Sequence, residues 1–355
     1  GPLALDANTT ASNNTAMGYA ALTANTTGAS NAAVGTSALG SNTTGGQNAA
    51  VGQSALFKNT ASGNAALGNE AGYYVTSGTG VTAVGAYALK GTADSTASDN
   101  TAVGYLALTA NTTGTNNVAV GSNALDANTT GSQNTAFGVT ALGSVTTGSN
   151  NTAFGYGTLN VNTAGNNTGF GTQALTSNTS ATNNTAVGYQ SLFANTTGAN
   201  NTAMGVITLD ANTTGANNTA VGSSALSANT TGGFNVAVGA TALNANTTAS
   251  NNVAVGYGAL QVNTTGAQNV AVGTSAGDAI TTASNCTLIG HNAGGAVVGG
   301  TNTTAIGYNA GDAITNQVNN VMMGVNAGTA VTSDSNTLIG TSAGETITSG
   351  AKNTI

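Results

Sequence analysis

The sequence predicts an all-β chain wound as a parallel β-solenoid (β-roll) of about 20 coils with a 17-residue repeat. Three observations predict it. The first is a short motif that returns through the whole chain: Thr-Ala-Val-Gly at Thr101–Gly104 and Thr185–Gly188, with Phe at Thr152–Gly155, Met at Thr202–Gly205 and Ile at Thr304–Gly307. The second is its phase. Counting from Gly1, the closing Gly recurs at twenty intervals, of which sixteen are 17 residues, three are 16 and one is 19. The third is what a unit contains. Seventeen residues are too few for a strand, a true helix and two turns, and Gly and Asn are poor helix formers.

The typical unit reads Gly, two variable residues, Ala, Leu, variable, Ala, Asn, Thr, Thr, Gly, two variable, Asn, Thr, Ala, Val. Small and apolar residues alternate between breaks of Gly, Asn and Ser, which predicts two short strands joined by turns. In the first strand the residue before the closing Gly is apolar in every coil, from Met17, Val34 and Val51 to Ile339, and is expected to face the coil interior. In the second, Leu22, Leu39, Leu56, Leu108, Leu125 and their equivalents do the same. Six coils carry Gly in place of this Leu: Gly72, Gly277, Gly294, Gly311, Gly328 and Gly344. Three residues further on they carry Val75, Ile280, Val297, Ile314, Val331 or Ile347, where thirteen of the fifteen Leu coils have Asn. One large apolar group is kept and its location moves, as an interior of fixed volume requires.

The residue two before the closing Gly then points outward. It is Ala in sixteen of twenty coils, and the others are Gly169, Leu288, Met322 and Leu338. A strand apolar on both faces is buried on both. Ala16, Ala33, Ala50, Ala102, Ala153, Ala186, Ala203, Ala220 and Ala254, with Leu288, Met322 and Leu338, are therefore the expected subunit interface. Asn opens the first strand in most coils, with Val81, Cys286 and Thr303 as departures, and these amides are expected to stack and hydrogen-bond along the axis.

Along the chain, residues 1–272 form coils mainly of the Ala-Leu-x-x-Asn type and residues 273–355 coils of the Ala-Gly-x-x-Ile/Val type. One continuous rod is expected, with no separate globular domain and a length of roughly 95 Å for about 4.8 Å per coil. The coil from Gly85 to Gly104 is the long one; Lys90, Asp94 and Asp99 cluster there, and a tolerated surface bulge is the expectation. The chain begins at a repeat's Gly and stops just short of the next one due, as a slice of a longer fibre would, while Gly1-Pro2 equally fits a cloning scar.

Composition removes several function classes. Lys58, Lys90 and Lys352 are the whole cationic inventory against ten acidic residues, so neither nucleic acid nor an anionic membrane surface is an expected partner. Twenty units in phase argue against disorder, which needs no phase. No stretch reads as a membrane span or a signal peptide. Asp6, Asp126, Asp210, Asp278, Asp312 and Glu345 share a column but never occupy consecutive coils, which avoids stacked like charges and speaks against a calcium ladder. His291 and Cys286 are single, so no catalytic triad or zinc site can be assembled from one chain, and no Gly-Lys-Ser or Gly-Lys-Thr marks a phosphate loop. The expectation is a non-enzyme with no cofactor, metal or catalytic residue. Tyr19, Tyr105, Tyr156, Tyr189, Tyr257 and Tyr308 follow closing glycines too irregularly to form a sugar platform. Asn8, Asn25 and Asn195 head Asn-x-Thr sequons that a secreted eukaryotic product would glycosylate.

Runs such as Asn336-Thr-Leu-Ile-Gly-Thr-Ser-Ala-Gly344 and Asn184-Thr-Ala-Val-Gly-Tyr-Gln-Ser-Leu192 carry a resemblance across the whole chain. It resembles the repeat shafts of bacteriophage tail fibres, and is similar to the head repeats of trimeric autotransporter adhesins. The resemblance implies a homotrimeric, extracellular fibre used for host or surface attachment, with itself as partner and cell-surface glycans or a receptor as ligand. The departure is the coil, longer here than in adhesin heads because of its Asn-Thr-Thr-Gly segment. The competing expectation is an ice-binding or other surface-binding solenoid that uses paired Thr, as at Thr26-Thr27, Thr112-Thr113 and Thr196-Thr197.

Overall fold

The structure, a computed structural model, describes residues 1–92 and 94–355. It comprises two units, residues 1–180 and 181–355, each a parallel β-solenoid. Every coil gives one strand of three residues. Ten lie in the first unit, from β1 (Thr15–Met17) to β10 (Thr168–Phe170), and ten in the second, from β11 (Thr185–Val187) to β20 (Thr337–Ile339); there is no helix among the described residues. Within each unit successive strands pair in parallel and in register. Ala16 lies beside Ala33 and Met17 beside Val34 in the first unit, Ala186 beside Ala203 and Val187 beside Met204 in the second. The change of coil type at residue 273 falls inside the second unit, and pairing runs through it, Val270 against Thr287 and Ala271 against Leu288.

The expected second strand is a run of tight turns. Ala38 donates its N–H to the Gly35 carbonyl, Gly40 to Ser37 and Asn42 to Leu39. Ser37 and Leu39, third residues of the first two turns, have φ of 57° and 51°, which is type II geometry. The run does not alternate sides as a strand would: the adjacent Ala38 and Leu39 are both fully buried, as are Ala21 and Leu22. The inward placement of Leu holds: Leu22, Leu39, Leu56, Leu108 and Leu125 have no exposed surface. Each sits in the left-handed region, at 50° to 54° in these five, a backbone state unfavourable for a branched side chain. Gly72, Gly277 and Gly294 relieve that strain at φ of 61° to 64°, and the apolar volume returns through fully buried Val75, Ile280 and Val297.

The facing of the strand is the reverse of the sequence expectation. Ala33, Ala50, Ala102, Ala153, Ala186, Ala203, Ala220 and Ala254, and likewise Leu288, Met322 and Leu338, have zero exposure within their own coils; Ala16, in the first coil, is half-buried. The residue before the closing Gly points out instead: Met17 is 65 % exposed, Phe170 53 % and Ile339 60 %. The cause is the thinness of the coil. The Leu column already fills the space opposite the strand, so the strand can add little more than a methyl group. A Cβ on Gly169 would lie 2.5 Å from Thr158 Cγ2 and 3.5 Å from Leu159 Cδ1. Leu288, Met322 and Leu338 fit only because Leu has left. A Cβ on Gly277 would lie 2.6 Å from Leu288 Cδ1, one on Gly311 2.7 Å from Met322 Cε, and one on Gly344 2.5 Å from Leu338 Cδ1. The twelve residues expected at a subunit interface are thus interior groups, with Ala16 at the open first coil.

Three polar ladders tie the coils together. The strand-opening Asn accepts at Oδ1 from the backbone N–H of the next coil, as Asn14 does from Asn31 at 2.9 Å, and spends Nδ2 on a carbonyl, as Asn31 does on Gly45 at 2.9 Å. A second buried Asn column bonds side chain to side chain: Asn212 Nδ2 reaches Asn195 Oδ1 at 2.8 Å, and Asn229 Nδ2 reaches Asn212 Oδ1 at 2.8 Å. The Thr beside it donates its hydroxyl to the next coil's carbonyl, Thr213 Oγ1 to Thr230 O at 3.0 Å. The closing Gly stacks on its counterpart so tightly that a Cβ on Gly18 would lie 2.5 Å from the Gly35 carbonyl oxygen, at a φ of 138° that L side chains rarely adopt. That is why this one position never varies.

Candidate functional site: the outer face of the strand ladder

Each three-residue strand sends its middle side chain inward and its first and third outward. The outward face is therefore two columns wide. One column holds Thr, Ala or Val, such as Thr101, Val118 and Thr135; the other holds Val, Met, Phe, Leu or Ile, such as Val103, Val120 and Phe137. Neither column contains a charged residue or an amide in either unit. The third-position side chains are partly exposed all along both units, up to Met17 at 65 % in the first and Ile339 at 60 % in the second, and away from the unit ends Leu67 is still 51 % and Met204 44 % exposed. In the first unit, three Phe in successive coils stack: Phe137 on Phe154 at 5.5 Å between centroids and 10° between planes, Phe154 on Phe170 at 5.1 Å and 25°.

This face was not read from the sequence, although a signal for it exists. The inner column changes size only with compensation, as Gly169 does against Thr158 and Leu288 against Gly277. The outer column passes from Val120 to Phe137 to Phe154 with no compensating change inside, where Ala119, Ala136 and Ala153 stay constant. Free variation in bulk marks an outside position.

The other sequence candidates fall elsewhere. Tyr19, Tyr105, Tyr156, Tyr189, Tyr257 and Tyr308 are exposed just past the closing Gly, and His291 stacks on Tyr308 at 5.3 Å. The Cys286 thiol is buried, donates to the Gly300 carbonyl at 3.4 Å, and is pushed up from its ordinary pKa by that burial, so it is an unreactive side chain. Asn25 and Asn195 have no exposed surface, which closes these two sequons in the folded coil. Paired Thr are not equivalent: Thr213 donates along the axis while Thr214 is exposed beside it, and both lie outside the strands.

The long coil makes its extra length before Ser95, which pairs with Val75 of the coil before. Lys90 there bonds Glu70 at 2.7 Å and lies 5.2 Å from the Tyr87 ring centre; Glu70 raises its pKa. Part of the expected bulge, residue 93, lies outside the described residues. Burial raises the carboxyls of Asp210 and Asp278, with Asp312 adding to the latter. Among the described residues no three His, Cys, Asp or Glu converge as a metal would need, and no helix is long and apolar enough to cross a membrane. No protein-family model matches the chain, and no curated protein does either.

Proposed function

We propose that this chain is a structural shaft of an extracellular fibre, self-associated as a homotrimer and used for attachment to a host or surface. The observation that supports this most is the apolar outer face of each unit, which no charged residue or amide interrupts. Its third-position side chains include Met17, Leu67, Phe137 and Phe170 in the first unit and Met204, Met323 and Ile339 in the second, all exposed, and large apolar side chains lined up on one face mark an interaction surface. The occupant that fits is a second copy. It presents the same columns at the same spacing, and the acidic residues that give the chain its net charge of −7 stand outside both columns. The resemblance to phage fibre shafts and adhesin heads points the same way, with the contact moved from the Ala column to the outer Val, Phe, Met and Ile column.

A solution mass tests this. The expectation is about three times the 33.7 kDa of the chain, falling to a single chain in the Val103→Asp, Val120→Asp variant with its far-ultraviolet dichroism unchanged. A monomeric parent overturns the proposal. The ice-binding alternative has the exposed second Thr of each pair in its favour, and thermal hysteresis measures it directly.

A further inference from the structure

A face that repeats every coil has a defect as an interface. Two copies slid past each other by one coil still set Val against Val and Thr against Thr. Nothing in a uniform column distinguishes one axial alignment from the next, as in any strand pairing whose side chains do not specify register. The outer column of the first unit is close to uniform at Val34, Val51, Val84, Val103 and Val120. It then changes abruptly to three consecutive Phe.

We propose that the Phe137–Phe154–Phe170 ladder sets the axial register between copies of this chain, each ring meeting its counterpart at the same height in a parallel assembly. This rests on the self-association proposed above. Three features of the ladder suit it to the task. Its rings are held against one another at 5.1–5.5 Å and near-parallel, so they project as one rigid ridge. Phe137 and Phe170, its two ends, are 49 % and 53 % exposed, so the ridge is open to a partner. And the step at its lower end is sharp, because Phe137 is paired directly with Val120. A slip of one coil sets the Phe137 ring at the height of Val120 of the other copy, which leaves an unfilled gap beside the smaller side chain and a ring without its stacking neighbour. Met17 and Leu67, the other bulky residues of this column in the first unit, stand singly with no large neighbour in the next strand to stack on.

The test is a distance between spin labels on two copies. Thr44 and Thr147 are exposed at equivalent places in their coils, and Cys286 is buried, so Thr44→Cys or Thr147→Cys takes a single label in the full chain. The parent is expected to give one narrow interchain distance, the same at both sites. Phe137→Val with Phe154→Val and Phe170→Val is expected to keep the parent's mass and spread that distance to longer values, in slips of about 4.8 Å along the axis. Moving the ladder, by adding Val84→Phe, Val103→Phe and Val120→Phe to the triple variant, is expected to restore the narrow distance. A triple variant as narrow as the parent overturns the role of the ladder, as does a parent whose distances differ between the two sites; self-association survives either result. A monomeric parent overturns the self-association itself, and the register with it.

Discussion

Ala186 and Ala203 stand in consecutive strands with no exposed surface, each boxed in by the Leu column of its own coil. A Gln at either place brings volume and an unpaired amide into a space that holds a methyl group. Ala186→Gln with Ala203→Gln is therefore expected to cost about 3 kcal/mol or more and to lower the melting temperature of the coils themselves, not merely their assembly. Thermal melts followed by dichroism at low concentration check this; an unchanged melt would place the Ala column outside. Asp210 is a second residue whose burial has a measurable result. Its carboxyl is raised by desolvation, and Oδ1 has no hydrogen-bond partner. A group raised in the folded state contributes stability below the ordinary carboxylate range and loses it as pH rises through the raised value. Asp210→Asn is thus expected to melt higher than the parent at pH 7 and level with it at pH 3. A difference that persists at pH 3 would point to packing rather than to charge.

At the scale of the coil, the elements are only three residues long, so their stability comes from stacking rather than from strand length. The inner Asn ladder shows where stacking is interrupted. It runs from Asn195 through Asn212, Asn229 and Asn246 to Asn263, and there Ile280 takes the next place, leaving Asn263 Oδ1 buried without a partner. Val145 does the same to Asn128. Asn229→Ala, in mid-ladder, orphans Asn212 Oδ1 and removes the acceptor of Asn246 Nδ2. It is expected to cost roughly 2–4 kcal/mol by denaturant titration, while Asn263→Ala, at a ladder end, costs less. Equal costs would mean that the ladder does not act as a chain of paired groups. Axial bonding by the strand-opening amides was legible in the sequence from the recurrence of Asn14, Asn117 and Asn134, although their Oδ1 accepts from the next coil's backbone N–H; the inner ladder of amide on amide was not. The replacement of the second strand by turns was not, since small and apolar residues such as Ser37, Ala38 and Leu39 suit a short strand by their type, and it is the positive φ of Ser37 and Leu39 and the burial of both Ala38 and Leu39 that make the turns.

For the molecule as a whole, the repeat was legible because Gly stacked on Gly admits no substitute, and the strict period follows from that constraint. Which apolar column lies inside was not. Both columns of the strand are apolar, and the rule that the larger side chain is buried fails when the enclosed space is already filled by Leu22 and its equivalents. The deciding clue was present in Leu288, Met322 and Leu338, all of which stand in coils where Gly has displaced Leu. Because the large side chains stay outside, the chain carries its apolar surplus on the face proposed to meet other copies, while small side chains close the strand side of the winding. Its inter-coil bonding has one further outcome. Backbone bonds such as Leu22 N–H to Ala38 carbonyl and Gly35 N–H to Met17 carbonyl join each winding only to the one above and the one below. Tension applied at the two ends of a unit therefore loads the outermost winding first and peels it away whole, releasing about 6 nm of extended backbone per 17 residues before the next yields.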